Sequence, residues 1–144
     1  MQGKVSMAKD KIHDLVKQVL INDGWLITHD PYIIETNDVE YEVDLAAEKI
    51  LAAEKEGKKI AVEVKIFIAT SFVYEFHRIL GQMLNYTIGI EDFEPERTLF
   101  LAVPQKIYKE YFSLSFVQKA VKRFKIKLLI FDDETQNVIK WKIK

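Results

Sequence analysis

The sequence predicts one α/β domain over residues 1–144, with a mixed central β-sheet flanked by helices. Three observations carry the prediction. Amphipathic helical stripes alternate with short apolar or period-two runs in the order α-β-β-β-α-β-α-α-β-β. No Pro-, Gly- or Ser-rich stretch separates them as a linker. With 49% hydrophobic and 12% aromatic residues, 144 residues suffice for one core and are too apolar for disorder.

The first helix is predicted over Met7–Asn22, because Ile12, Leu15, Val16, Val19 and Leu20 recur at helical spacing and Gly24 supplies a stop. Trp25 to Ile34 reads as a strand broken or ended near Pro31, followed by the polar turn Thr36-Asn37-Asp38. Tyr41 to Phe67 sets two signals against each other. Ala46-Ala47-Glu48-Lys49 and Ala52-Ala53-Glu54-Lys55 are strong helix formers, yet Glu56-Gly57 marks a tight turn and Ile60, Val62, Val64 and Ile66 alternate after it. The region is therefore read as mostly strand. Thr70 and Ser71 are candidate N-caps for a helix from Phe72 to about Ile88, with Phe76, Ile79, Leu80, Met83 and Leu84 inside. Arg97–Val103 is an apolar strand between Pro95 and Pro104. Pro104 opens a helix, Ser115 caps the next, and Lys127–Phe131 and Val138–Ile143 close the chain as strands.

Composition narrows function by exclusion. Without cysteine there is no disulfide scaffold and no Cys-ligated metal site, and His13, His29 and His77 have no zinc-like spacing. No apolar run approaches the roughly 20 residues of a membrane-spanning helix, so a cytoplasmic protein without membrane contact is expected. A formal charge of −1 argues against coating nucleic acid by bulk charge. The distribution is uneven, however. Residues 1–72 hold nine basic and 13 acidic side chains, whereas residues 73–144 hold 12 and nine. Between Tyr111 and Phe131 there is no acid, while Lys119, Lys122, Arg123, Lys125 and Lys127 all fall there. That run is either a phosphate-contacting patch or an ordinary solvated face.

The strand Glu63-Val64-Lys65 sets a carboxylate and an ammonium two residues apart, hence on one face. Asp44, in Tyr41-Glu42-Val43-Asp44-Leu45, can offer a second carboxylate from an adjacent strand. Two carboxylates suit a hard divalent cation, Mg²⁺ or Mn²⁺, which takes oxygen ligands. Asp44, Glu63 and the Val64 carbonyl would hold it, and Lys65 would orient or help deprotonate water for phosphodiester hydrolysis. The same pattern also describes a solvated strand face with a cross-strand ion pair. On the helix after this strand, Glu75, Gln82 and Tyr86 share a stripe beside the buried face. In the first helix His13 projects from the edge of the apolar face, as a residue reaching the cleft or as a packing or capping histidine.

Taken together, Ala8-Lys9-Asp10-Lys11-Ile12-His13-Asp14, Asp23-Gly24-Trp25, Ala52-Ala53-Glu54-Lys55, Ile60-Ala61-Val62-Glu63-Val64-Lys65, Leu80-Gly81-Gln82 and Asn85-Tyr86 resemble the XisH family of excision-controlling proteins, within the PD-(D/E)xK nuclease superfamily. The resemblance implies a restriction endonuclease-like fold. It implies Asp44, Glu63 and Lys65 as the catalytic acid and E-x-K, although no proline precedes Asp44 and the 19-residue separation leaves Glu48 or Glu42 open as the first acid. Gln82-x-x-x-Tyr86 is similar to the glutamine–tyrosine signature of RecB-type nucleases; from their places on the helices, His13 and Glu75 are candidates for outer support. The family implies a role in excising a DNA element during heterocyst differentiation, with DNA, an XisI-type protein and a site-specific recombinase as partners. Two readings follow: a Mg²⁺-dependent nuclease-like factor, or a catalytically inactive accessory that binds DNA or protein. Self-association is left open by both.

Overall fold

A computed structural model describes residues 2–35, 50–67 and 71–143 of the protein. Among these residues the predicted element order holds: α1 (Gln2–Asn22), β1 (Leu26–His29), β2 (Ile50–Lys55), β3 (Lys58–Val64), α2 (Phe72–Phe93), β4 (Arg97–Pro104), α3 (Gln105–Tyr111), α4 (Ser115–Arg123), β5 (Leu128–Asp132) and β6 (Asn137–Lys142). The six strands form one sheet in sequence order, parallel at β3–β4 and β4–β5 and antiparallel elsewhere.

Local signals explain most boundaries. α1 starts at Gln2 rather than Met7, and it ends where Gly24 takes φ +92° and donates its N–H to the Ile21 carbonyl. Glu56 and Gly57, at φ 51° and 80°, make the two-residue turn between β2 and β3, a conformation whose strand twist suits a hairpin. The helix-forming Ala52-Ala53-Glu54-Lys55 lies on β2, because Leu51, Ala52 and Ala53 are fully buried between β1 and β3. Tertiary burial outweighs intrinsic propensity there. α2 runs past Ile88 to Phe93, as Gly89 and Ile90 continue its buried face. Ser71 takes the cap position of α2 as expected, whereas the cap of α4 is displaced by one residue. Ser115 is the first residue of α4, with Leu114 at the cap position, and the Ser71 side chain caps nothing. The turn at residues 36–38 and the first Ala-Ala-Glu-Lys copy, residues 46–49, lie outside the described residues.

Strand alternation divides the core between the two faces of the sheet. Ala52, Ala61, Leu99, Leu101, Val103, Leu128 and Ile130 pack with α2, α3 and α4. Leu51, Ala53, Ile60, Val62, Val64, Phe100, Leu129 and Phe131 pack with Val16, Val19 and Leu20 of α1. Both parallel crossovers advance in one direction along the sheet, which places their helices on one face. Among the described residues no helix is long and apolar enough to cross a membrane.

Candidate functional site

Glu63 occupies the next-to-last position of β3, paired with Ile50 on β2 and Leu101 on β4. Its neighbours Val62 and Val64 point into the α1 side of the core, so Glu63 points to the α2 side, in step with Ala61. Lys65 follows on the same side, its Nζ 3.8 Å from Glu63 Oε1, an ionic contact beyond hydrogen-bond length. Glu63 is 0% and Lys65 5% exposed, which excludes the solvated strand face. An ionisable pair in an apolar interior carries a desolvation penalty that hydrophobic residues of the same volume avoid. The pair also sits at the carboxyl end of a parallel strand, just ahead of the crossover helix, the place where open α/β sheets bind ligands.

α2 packs over this face. Tyr86 is buried in the same cluster as Ala61 and Leu101, while Gln82 is half-buried on the helix one turn earlier. Glu75 pairs with Arg78 at 3.3 Å. The structure thus brings Glu63, Lys65 and Tyr86 to one side of the sheet, with Gln82 on the same helix as Tyr86. Asp44, together with its alternatives Glu42 and Glu48, lies outside the described residues.

His13 belongs to the other face. It is buried on α1, and its Nε2 donates to Asp30 Oδ1 at 2.7 Å, while Lys17 Nζ donates to Asp30 Oδ2 at 2.8 Å. Partial burial opposes ionisation of Asp30, but the hydrogen bonds from Lys17 and His13 outweigh it and hold the carboxyl below its ordinary range. His13 therefore anchors α1 to the chain beyond β1. Its partner Asp30 carried no signal in the sequence beyond preceding Pro31.

Of the cationic run, Lys119, Lys122 and Arg123 are exposed on α4, opposite the buried Val117 and Val121, and Lys125 is exposed just after it. Lys127 is half-buried, and its carbonyl accepts the Leu101 N–H at 2.9 Å. Of the aromatic residues near this run Phe116 and Phe124 are exposed, while others pack inward. Tyr111 stacks on Phe72 at 4.3 Å, Phe112 is buried, and Trp141 meets Phe100 at 4.8 Å.

One buried charge escaped the sequence reading. Arg97 donates to both Glu94 oxygens at 3.1 Å and to the Ile60 carbonyl at 2.9 Å, and its guanidinium lies over the Tyr32 ring. Tyr32 donates to Glu94 at 2.7 Å. Burial and the adjacent Glu94 push the Tyr32 phenol upward. For Glu94, burial is outweighed by the Arg97 and Tyr32 hydrogen bonds, which hold its carboxyl below its ordinary value. The one available signal was a charge at the head of an apolar run.

Among the described residues no three or more His, Cys, Asp or Glu side chains gather as a metal cluster. The Glu63 carboxylate and the Val64 carbonyl, adjacent at the end of β3, are hard oxygen donors of the kind Mg²⁺ takes; further donors must come from residues such as Asp44.

The sequence model of the XisH protein family matches residues 6–139. Two solved structures are similar over nearly the whole chain. One is an fdxN element excision controlling factor protein from Anabaena variabilis, 40% identical, covering 92% of this chain and 98% of that one with a TM-score of 0.85. The other is an XisH family protein from Nostoc punctiforme PCC 73102, 42% identical, covering 91% and 98% with a TM-score of 0.83. No curated protein matches.

Proposed function

The chain belongs to the XisH family, and from that premise we propose that it is a DNA-processing protein of restriction endonuclease-like type that controls excision of a genomic DNA element by Mg²⁺-dependent phosphodiester cleavage. The buried Glu63–Lys65 pair carries the reading. Two ionisable groups kept inside a domain at a cost in desolvation, at the carboxyl end of a parallel strand, point to a function rather than to stability. Glu63 and Asp44, with the Val64 carbonyl, would hold Mg²⁺ or Mn²⁺, which when bound supplies Lewis-acid stabilisation of charge on phosphate oxygens. Lys65 orients the attacking water and offsets developing negative charge. Gln82 and Tyr86 position these groups from α2, with Glu75 further out on the same helix, while His13 on the opposite face of the sheet braces α1 through Asp30. The exposed Lys119, Lys122, Arg123 and Lys125, with Lys127, supply phosphate contacts for DNA. An XisI-type protein and a recombinase act with it, in the cytoplasm.

A second reading, an inactive accessory that docks on DNA or protein, is favoured by the exposed Leu114, Phe116 and Phe124 around α4. Calorimetric titration with Mn²⁺ separates the two. The wild type should bind saturably, and Asp44→Asn/Glu63→Gln, shown folded by circular dichroism, should not. Absence of binding by the wild type, with and without duplex DNA, overturns the metal-dependent reading and leaves the accessory one.

A further inference from the structure

Helix α4 and the turn after it expose aromatic rings among cations. Phe116 is 45% and Phe124 44% exposed, and Lys119, Lys122, Arg123 and Lys125 are exposed around them. Phe116, Lys119 and Arg123 recur at i, i+3 and i+7, so ring and cations share one stripe, and Phe124 follows at its end. The buried residues of this helix, Val117 and Val121, join the cluster that holds Ala61, Leu101 and Tyr86. The stripe therefore lies on the same face of the sheet as Glu63 and Lys65. Phe116 meets Phe76 of α2 edge-on at 6.1 Å, so its ring is braced without being covered.

Neither helix stability nor ion pairing accounts for these cations. Lys122 and Arg123 stand in the last turn of α4, where a cation complements the helix dipole, but that effect falls off within a turn and does not reach Lys119. Among the described residues none of the four pairs with a carboxylate, and no acid occurs between Tyr111 and Phe131. We propose that this surface binds an unpaired DNA strand, Phe116 and Phe124 stacking on bases while Lys119, Lys122, Arg123 and Lys125 contact phosphates. This assignment rests on the DNA-processing function above and adds that the DNA taken has single-stranded character near the point of cleavage. Cations with no acid among them select a polyanion, but a duplex alone would satisfy them. Exposed rings interleaved with those cations match a strand whose base faces are open, since every base offers a π-face to an aromatic side chain. An acidic protein would meet the same charges; the face shared with the buried Glu63–Lys65 pair favours the nucleic acid.

Fluorescence anisotropy with a labelled oligo-dT of about 20 nucleotides and a duplex of the same length tests this, without divalent cation so that no cleavage intervenes. The wild type should bind the single strand roughly tenfold more tightly than the duplex. Phe116→Ala and Phe124→Ala should each weaken single-strand binding roughly fivefold or more and leave duplex binding unchanged, whereas Phe124→Tyr keeps a ring and should retain it. Lys122→Gln/Arg123→Gln should weaken binding of both forms and reduce the slope of log affinity against log salt by about 1.4 for the single strand. Circular dichroism checks folding, and the two Phe124 variants decide the matter if Phe116→Ala unfolds. Duplex bound as tightly as single strand, or single-strand affinity unmoved by loss of the Phe124 ring, overturns the proposal and leaves cleavage of duplex DNA standing. A wild type that binds neither form at low salt overturns it together with the DNA-processing function, for which Mn²⁺ binding at Glu63 remains a separate readout.

Discussion

Lys65→Met, which keeps the aliphatic stem and removes the ammonium, should destabilise the domain by about 3 kcal/mol, because it takes an adjacent cation away from the buried Glu63 carboxylate. At 3.8 Å, unit charges attract by roughly 4 kcal/mol at an effective dielectric constant near 20, and the 4% and 0% side-chain exposures of Lys65 and Glu63 leave little room for water to screen them. Glu63→Gln removes the other charge at constant shape and should have a similar effect. The double variant contains neither charge, so its destabilisation should fall short of the sum of the singles by about 2–4 kcal/mol. Urea unfolding followed by tryptophan fluorescence measures all four species. Trp25 and Trp141, 5.6 Å apart, pack on the opposite side of the sheet and report global unfolding without touching the pair. Single-variant effects that add within about 0.5 kcal/mol would refute the coupling on which the site argument rests.

Arg97→Met should be destabilising by about 2 kcal/mol, since it removes the hydrogen bonds to both Glu94 oxygens and to the Ile60 carbonyl and leaves Glu94 to Tyr32 and Lys59; a change in urea midpoint worth under about 0.5 kcal/mol would contradict the network. Acid should weaken the fold through Asp30 and Glu94. Their carboxyls are held below ordinary values in the folded state, so the stability they add is present above the unfolded carboxylate value near pH 4 and is lost as pH falls through the folded values. The urea midpoint should fall on acidification below about pH 4, with a shallower fall in Asp30→Asn, and a wild-type midpoint constant down to about pH 3 would count against both hydrogen-bonded carboxylates.

The fold was legible because its main signals are periodic. The α1 stripe, the alternation from Ile60 to Val64 and the proline-bounded β4 each depend on residues near in sequence. Ala52-Ala53-Glu54-Lys55 shows where local signals mislead: these residues become a central strand only because β1 and β3 flank them, and alanine fits where both faces are buried. In the candidate site, Glu63 and Lys65 were legible from the two-residue strand period, whereas their burial was not, since it depends on α2 packing over the sheet. The His13–Asp30 and Arg97–Glu94–Tyr32 contacts were out of reach for the same reason, as the first spans 17 positions and Tyr32–Glu94 spans 62. Ser115 misled because a good capping side chain was one residue inside the helix.

Two kinds of buried charge in this domain call for different explanations. Arg97 is bound on three sides by Glu94 and a backbone carbonyl at hydrogen-bond distance, and Tyr32 lies beneath it, so its charge fastens the segment after β1 to the start of β4. Glu63 lies within the unbroken buried run Ile60–Val64, between two neighbouring strands, at a position where an apolar side chain would join Ala61 and Leu101 in the same cluster. If the pair existed for stability, Glu63→Leu/Lys65→Met would weaken the domain. If it is retained for chemistry, the apolar pair should be neutral or stabilising by about 1–4 kcal/mol, as for other buried ion pairs replaced by hydrophobic residues of similar volume, while any metal binding disappears. Opposite signs in one unfolding experiment therefore separate a structural ion pair from a functional one without knowledge of the substrate.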